Sequence, residues 1–197
     1  MATKRCFDIG ASFLGLLLLA PLLALLSILV KCGSRGPILF RQVRVGRDGV
    51  EFTLLKFRSM RVDEDRQKRQ FEPGNHDRIT GVGRFMRRTK LDELPQLWNV
   101  LVGEMSLVGP RPEVPRWVRL DDPEWLKVLS IRPGITDPAS IAYRNEEELL
   151  AASDDPERTY GQEILPRKLE LSCRYVASRS LLGDIGIILK TLLGTSR

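Results

Sequence analysis

Residues 87–101 read Arg-Arg-Thr-Lys-Leu-Asp-Glu-Leu-Pro-Gln-Leu-Trp-Asn-Val-Leu, and the interpretation of the chain starts from this stretch. Thr89 followed three residues later by Asp92 has the form of a helix capping box. The apolar residues that follow recur at helical spacing. The pattern predicts a helix with Asp92 and Glu93 in its first turn, where backbone N–H groups and the helix dipole favour negative charge. On these residues alone the two acids are either a cap with solvated charges or a functional pair.

The N-terminal segment from Ile9 to Val30 carries no charge and is long enough to span a bilayer. Lys4 and Arg5 resemble the start of a signal peptide, but no small-residue cleavage site precedes a polar mature start. Basic residues flank both ends, so the positive-inside rule selects no orientation. Pro21 kinks the segment, and each arm of about 18 Å is too short to cross. We predict a re-entrant helix bent at Pro21, with a kinked spanning helix as the alternative.

Two strand-like runs, residues 37–45 and 50–57, flank the turn Gly46-Arg47-Asp48-Gly49 and predict a β-hairpin. In an extended chain Lys56 and Arg58 lie on one face. Two cations that project together suit a diphosphate. The alternative is an edge strand whose charges prevent aggregation.

The net charge of +6 is unevenly distributed, because basic residues dominate between Lys31 and Arg61 and acidic residues between Asp121 and Glu163. A basic front half favours anionic partners such as lipid headgroups, phosphorylated substrates or nucleic acid. The three cysteines are widely spaced without a metal-ligand pattern, which is typical of a reducing compartment. His76 is the single histidine, which excludes His-based triads and most His-ligated zinc sites, and we expect it at the surface.

Arg111 stands between Pro110 and Pro112. Proline fixes its own φ and restricts the preceding residue, so Arg111 is presented on a stiff backbone and loses little entropy on binding phosphate. A plain extended linker is the alternative. Further along, Leu181 to Leu193 is apolar but too short to span a bilayer, and we expect it against the membrane or the core.

In this combination the chain resembles the monotopic phosphoglycosyl transferases, a family of bacterial sugar transferases. The resemblance covers residues 4–138 and, more loosely, the remainder. Besides the apolar segment with its proline, it is carried by four strings: Gly36-Pro37-Ile38-Leu39-Phe40-Arg41-Gln42, Lys56-Phe57-Arg58-Ser59-Met60, Leu91-Asp92-Glu93-Leu94-Pro95-Gln96-Leu97 and Met105-Ser106-Leu107-Val108-Gly109-Pro110-Arg111-Pro112.

The resemblance implies an α+β fold with two parts. Residues 1–35 would form a re-entrant membrane-associated helix, and residues 36–197 a catalytic domain with a β-hairpin and membrane-surface amphipathic helices. The protein would lie on the cytoplasmic face of a bacterial inner membrane. The family bends its helix at a Ser-Pro pair, whereas this chain has Ala20-Pro21, so a kink is expected without help from a serine hydroxyl.

The resemblance also implies a two-step transfer. Asp92 matches the nucleophile that attacks the β-phosphate of a UDP-sugar, expels UMP and holds the phosphosugar covalently, before a polyprenol phosphate such as undecaprenyl phosphate accepts it. Glu93 completes the family's Asp-Glu pair, Mg²⁺ is the expected cofactor, and Asp92 is its candidate ligand. The residues expected to hold phosphate are Arg87 and Arg111, with Lys56 and Arg58 as weaker matches. The residues considered for contacts with the donor are Pro110, Pro112 and Arg144.

The chemistry is consistent with this assignment, because a carboxylate attacks an anionic phosphate only when nearby cations neutralise the charge. The alternative is a non-catalytic peripheral membrane protein that binds anionic lipid and in which Asp92 and Glu93 only cap a helix. Lipid binding does not require the specific strings around Asp92 and Arg111. Nucleic-acid binding is not expected beside a lipid-inserted segment. The sequence does not specify the donor sugar.

Overall fold

The computed structural model describes residues 2–62 and 78–194; the expected surface position of His76 lies outside these ranges. Helix α1 (Ala2–Gly33) runs through Pro21 without interruption. Within the described ranges, one helix, residues 3–33, is long and apolar enough to cross a membrane, and the mean hydropathy of its most apolar 18 residues is 2.8. Its exposed face is rich in large apolar side chains, and Leu18 is 68% exposed. The re-entrant path and the division of the chain at residue 35 stay predictions.

A β-hairpin follows α1. Strand β1 (Leu39–Val45) pairs antiparallel with β2 (Glu51–Phe57), so that Leu39 faces Phe57 and Val45 faces Glu51. The turn between them is a short 3-10 segment in which Asp48 has a positive φ of 57°. The strands therefore lie where the alternating pattern places them.

The central stretch has a different local structure from the one that its capping-box pattern predicts. Helix α2 (Gly81–Thr89) ends at Thr89, whose hydroxyl donates a hydrogen bond of 2.8 Å to the Phe85 carbonyl. Lys90 then adopts the left-handed conformation with φ 59°, and residues 91–93 form a 3-10 turn. Helix α3 (Gln96–Val102) begins only after Pro95, because proline lacks an N–H and is favoured at the start of a helix. The predicted capping box is wrong, since Thr89 ends one helix and caps no other.

The C-terminal half is mostly helical. Its short parallel pair consists of β3 (Ser106–Val108) and β4 (Gly134–Thr136). Its helices are α4 (Pro123–Leu129), α5 (Pro138–Ala142), α6 (Glu146–Ala151), α7 (Pro156–Thr159), α8 (Leu165–Ser178) and α9 (Leu181–Leu193), with a π-helical turn (Tyr160–Ile164) before α8. The largest core cluster includes Trp125, Leu150 and Leu169. The structure is thus of the predicted α+β class.

Both halves of α1 pack on the domain formed by these elements. Near its start, Arg5 donates hydrogen bonds of 2.7 and 3.0 Å to carbonyls at the end of α3, and the buried Asp8 accepts 2.8 Å from Ser106. Near its end, Leu26 and Val30 are buried in a cluster shared with β2 and α2. The two ends of α1 therefore contact one and the same domain.

Candidate active site

The candidate site is an open groove of about 1770 Å³ between the hairpin, the 3-10 turn after α2, the segment that contains Arg111, and helices α5, α6 and α9. The exposed apolar side chains of Phe40 and Val43 in β1 and of Leu192 in α9, here called the apolar rim, line the groove together with charged side chains. Seven predicted site residues line this groove: Lys56, Arg58, Arg87, Asp92, Glu93, Arg111 and Arg144. The fold thus gathers residues that lie up to 88 positions apart in the sequence.

The carboxyl of Asp92 is nearly buried, with 8% of the residue exposed. The left-handed Lys90 turns the chain so that Asp92 faces inward from the 3-10 turn. Its Oδ1 is buried and has no hydrogen-bond partner within the described ranges. Burial raises the pKa of Asp92 above its usual value; Lys56 opposes this effect and the charge of Glu93 adds to it. Buried carboxyl oxygens are normally paired, so an unpaired one indicates a functional role.

Glu93 is held differently from its neighbour. Its Oε1 accepts hydrogen bonds of 2.9 Å from Lys56 and 2.6 Å from Arg111, and its Oε2 accepts one of 3.3 Å from Arg111. Burial acts to raise the pKa of Glu93, but Arg111 and Lys56 outweigh it and hold this pKa well below its usual value. Glu93 is therefore an ionised anchor for two cations of the groove.

Arg111 is fixed by its backbone as well as by Glu93. The carbonyl of Pro110 accepts 2.9 Å from the Gly134 amide, and the carbonyl of Pro112 accepts 3.0 Å from Arg44. Gly109 and Gly134 are so close that a Cβ on Gly134 would lie 2.1 Å from the Gly109 nitrogen. The two prolines are not among the residues that line the groove, and the donor contact considered for them stays a prediction.

Arg87 lies in the last turn of α2 and forms an ion pair with Glu147 of α6 across the groove. The Arg87 side chain is 28% exposed and that of Glu147 44% exposed, so the pair is accessible to solvent. Arg144 is exposed and lines the same side of the groove. The Glu147 carboxylate thus occupies the position on Arg87 that an anionic group of a ligand would take.

The two-residue spacing predicts that Arg58 projects together with Lys56, but the structure gives the two side chains different partners. Its buried guanidinium donates hydrogen bonds of 2.7 Å to Ser34 and 3.3 Å to Val30, and another to the Arg35 carbonyl. These carbonyls belong to the end of α1 and the segment after it. The alternation stops because β2 ends at Phe57, so Arg58 turns toward α1 and stabilises its C-terminus.

The described residues contain no group of three or more His, Cys, Asp or Glu side chains that could hold a metal ion. Mg²⁺ commonly binds one or two carboxylates and takes its other ligands from substrate phosphates and water. The carboxylate of Asp92 could supply such a ligand, whereas both oxygens of Glu93 already accept from cations. Asp92 is therefore the residue that would hold a Mg²⁺ ion bound together with a diphosphate, and the magnesium cofactor stays a prediction.

Residues 1–196 match the family model of the bacterial sugar transferases. The chain belongs to this family.

Three relatives illustrate the similarity. The chain is 41% identical over 203 residues to an undecaprenyl-phosphate glucose phosphotransferase of Komagataeibacter xylinus, covering 98% of this chain and 35% of the relative. It is 36% identical over 192 residues to a UDP-N-acetylgalactosamine-undecaprenyl-phosphate N-acetylgalactosaminephosphotransferase of Aeromonas hydrophila, covering 96% and 42%. It is 34% identical over 205 residues to the exopolysaccharide production protein ExoY of Sinorhizobium fredii, covering 96% and 84%. The chain spans about two fifths of the first two relatives.

This bacterial sugar transferase has further charged residues that the sequence analysis missed. Glu113 accepts hydrogen bonds of 2.6 Å from Tyr160 and 3.4 Å from Lys168, and Lys168 also donates 2.8 Å to Glu146. This buried network lies directly behind Arg111. In the sequence, only Glu113 could have been linked to the site, because it follows Pro112. Tyr160 and Lys168 are far away in the sequence, and the packing of α8 and the turn before it brings them close.

Proposed function

We propose that the protein transfers a phosphosugar from a UDP-sugar to a polyprenol phosphate such as undecaprenyl phosphate, with UMP as the by-product. The observation that carries this proposal is the buried, unpaired carboxyl of Asp92 beside a set of cations in an open groove. The names of the relatives support the substrate classes, since two of them denote undecaprenyl-phosphate sugar phosphotransferases. The names of the relatives also give the two candidate donors, UDP-glucose and UDP-N-acetylgalactosamine.

In the first step a carboxylate oxygen of Asp92 attacks the β-phosphorus of the donor. A bond forms between this oxygen and phosphorus, and the bond from phosphorus to the bridging oxygen breaks. The electron pair leaves with UMP, and the phosphosugar is esterified to Asp92. Lys56 and Arg111, which Glu93 holds in place, supply positive charge at this point.

In the second step a phosphate oxygen of the polyprenol phosphate attacks the same phosphorus. The bond to Asp92 breaks, the carboxylate is regenerated, and a polyprenol diphosphate sugar leaves. Because the two substrates use one nucleophile in turn, a soluble donor and a lipid acceptor need not be bound together. A bound Mg²⁺, with Asp92 and the diphosphate as its ligands, would neutralise phosphate charge.

We also propose that the protein is monotopic and lies on the cytoplasmic face of the bacterial inner membrane, with residues 1–35 as the re-entrant anchor. Arg5 and Val30, at opposite ends of α1, both contact the globular domain. A helix whose two ends both contact one domain does not place these ends on opposite faces of a bilayer. The exposed apolar face of α1 and the apolar rim of the groove suit contact with lipid.

The alternative of a lipid-binding protein without activity requires Asp92 to be a helix cap. The 3-10 turn that contains Asp92 has no side-chain cap, and α3 begins after Pro95. Asp92 therefore caps neither the 3-10 turn nor α3.

The test is mass spectrometry of the full chain in detergent, quenched after incubation with UDP-glucose or UDP-N-acetylgalactosamine and without acceptor. A mass increase of one phosphosugar on the peptide that contains Asp92, with one equivalent of UMP released, supports the proposal. Asp92→Asn should show neither. Turnover with full acceptor and no adduct, or an adduct on another residue, refutes it.

A further inference from the structure

Three buried polar residues lie close together in the sequence of the central stretch. Asp92, Gln96 and Asn99 are 8%, 1% and 1% exposed. Gln96 and Asn99 lie one turn apart on α3, and Asp92 lies in the 3-10 turn before it. The side of α3 that carries Asn99 faces β2, because the Asn99 amide donates 2.8 Å to the Thr53 carbonyl and accepts 3.1 Å from the Leu55 amide.

Gln96 lies between the other two and has an unused donor. Its Nε2 is buried and has no hydrogen-bond partner within the described ranges, and the same is true of Oδ1 of Asp92. The backbone between them is right-handed, with hydrogen bonds from Leu94 to Leu91 of 3.3 Å and from Leu97 to Leu94 of 3.1 Å. A buried donor and a buried acceptor thus lie unpaired on neighbouring turns.

An unpaired buried amide lowers stability, and an apolar side chain of the same length would avoid this loss. Asn99 shows that an amide on this face is accommodated when it has partners. The Nε2 donor of Gln96 has none among the residues that the structure describes, and Gln96 does not line the groove. Its amide is therefore explained by a group with which it pairs during the reaction.

We propose that Gln96 is a positioning residue for Asp92, with its Nε2–H donating to Oδ1 so that Oδ2 bonds to the β-phosphorus. The inference rests on the proposed function and adds a role for Gln96 within it. Once the phosphosugar is on Oδ2, Oδ1 is the carbonyl oxygen of the acyl phosphate. When the acceptor attacks, the electron pair of the breaking bond returns to the carboxylate, which the same hydrogen bond stabilises.

The test compares Gln96→Met, which keeps length and removes the donor, with the exposed matched control Gln162→Met. Single-turnover UMP release from the full chain gives a rate constant and an amplitude. We expect Gln96→Met to lower the rate constant by about 100-fold, the lower end of the effect of removing one donor to a developing charge, with the KM for donor within about twofold because Gln96 lies outside the groove. Gln162→Met should match wild type.

The melting temperature separates this role from a structural one. Loss of an unpaired buried donor should leave the melting temperature of Gln96→Met equal or higher. An unchanged rate constant overturns the proposal, whatever the amplitude or melting temperature. If wild type forms the Asp92 adduct and Gln96→Met forms it equally fast, this inference fails and the proposed function stands. If wild type forms no adduct, the proposed function itself fails.

Discussion

Arg111 donates hydrogen bonds to both carboxylate oxygens of Glu93, at 2.6 Å to Oε1 and 3.3 Å to Oε2. The Glu93 side chain is only 12% exposed, and Lys56 donates a further 2.9 Å bond to its Oε1. Glu93 is therefore saturated with cations while Asp92, one residue earlier, has an unpaired oxygen. Neighbouring residues on a helical turn point about 100° apart, and the two acids consequently have different tasks.

Replacing Glu93 by glutamine should remove the charge that holds Lys56 and Arg111. Breaking a buried ion pair from one side costs about 3–5 kcal/mol, because the partners are left uncompensated. We expect Glu93→Gln to lower both the free energy of unfolding and UMP release, the latter by about 100-fold. Denaturant titration and steady-state kinetics measure the two effects. Glu51→Gln, at an exposed carboxylate on the same hairpin, should change neither, and a fully active Glu93→Gln would contradict the assigned role.

Asp92→Asn should stabilise the protein while it abolishes activity. The folded-state pKa of Asp92 is raised chiefly by burial, so its charged form costs stability at neutral pH. This cost is present above the folded pKa and is relieved as the pH falls through it. We expect the melting temperature to rise by about 2–4 °C at pH 8, the effect of about 1 kcal/mol in a chain of this size. The gain should shrink toward pH 4 in chelator-containing buffer, and a gain that grows on acidification would contradict this explanation.

Arg58→Met should affect folding more than chemistry. The substitution leaves carbonyls at the end of α1, including those of Val30 and Ser34, without their donor. Hydrogen bonds to a charged group contribute about 1.5–3 kcal/mol each, so we expect a loss of about 2–4 kcal/mol. Thermal unfolding in detergent measures the change. Arg41→Met, at an exposed arginine of β1, is the control and should be neutral; equal stability of the two variants would refute the capping role.

Glu147→Gln should increase the apparent affinity for the donor. The Glu147 carboxylate occupies Arg87 in the free protein, and a phosphate must displace it. Exposed pairs contribute about 0.2–1 kcal/mol, so we expect the KM for donor to fall by about two- to fivefold at low salt and less at high salt. Glu148→Gln, next to it and exposed, should have no effect. A raised KM for Glu147→Gln would indicate that Glu147 contacts the substrate directly.

Gly134→Ala should disrupt the segment that presents Arg111. An added Cβ would lie 2.1 Å from the Gly109 nitrogen and 2.4 Å from its carbonyl oxygen, which are backbone atoms that cannot yield locally. We expect a loss of at least about 3 kcal/mol together with low activity per folded molecule. Gly186→Ala in α9 meets nothing within 4 Å and should be neutral or stabilising by about 0.5–1 kcal/mol. Chemical denaturation of both variants provides the comparison.

Local patterns predicted those features that depend on neighbours in sequence. Alternation located both strands of the hairpin, and the apolar run from Leu181 to Leu193 coincides with α9. The specific strings around Asp92 and Arg111 were sufficient for the family, which the match over residues 1–196 confirms. These signals are reliable because backbone preference and side-chain spacing act over a few residues.

The capping box failed for a physical reason that sequence spacing does not contain. A threonine three residues before an acid is compatible with a helix start, but here Lys90 adopts a left-handed conformation and closes α2. Arg58 is a related case, because its guanidinium donates to carbonyls at and after the end of α1, while the phosphate contact expected for it together with Lys56 stays a prediction. Both outcomes depend on which distant segment packs against the residue.

By itself the sequence determined the family, the apolar N-terminal segment, the hairpin and the identity of the charged residues, since each depends on short-range composition and spacing. Only the tertiary structure decided that Glu93 takes Arg111 and Lys56, that Asp92 and Gln96 keep unpaired buried atoms, and that Glu147 occupies Arg87. The reason is that pairing and burial in the groove are set by contacts between segments far apart in the chain. The roles of these charged groups depend on their removal from water, and this removal occurs only once those segments have packed together.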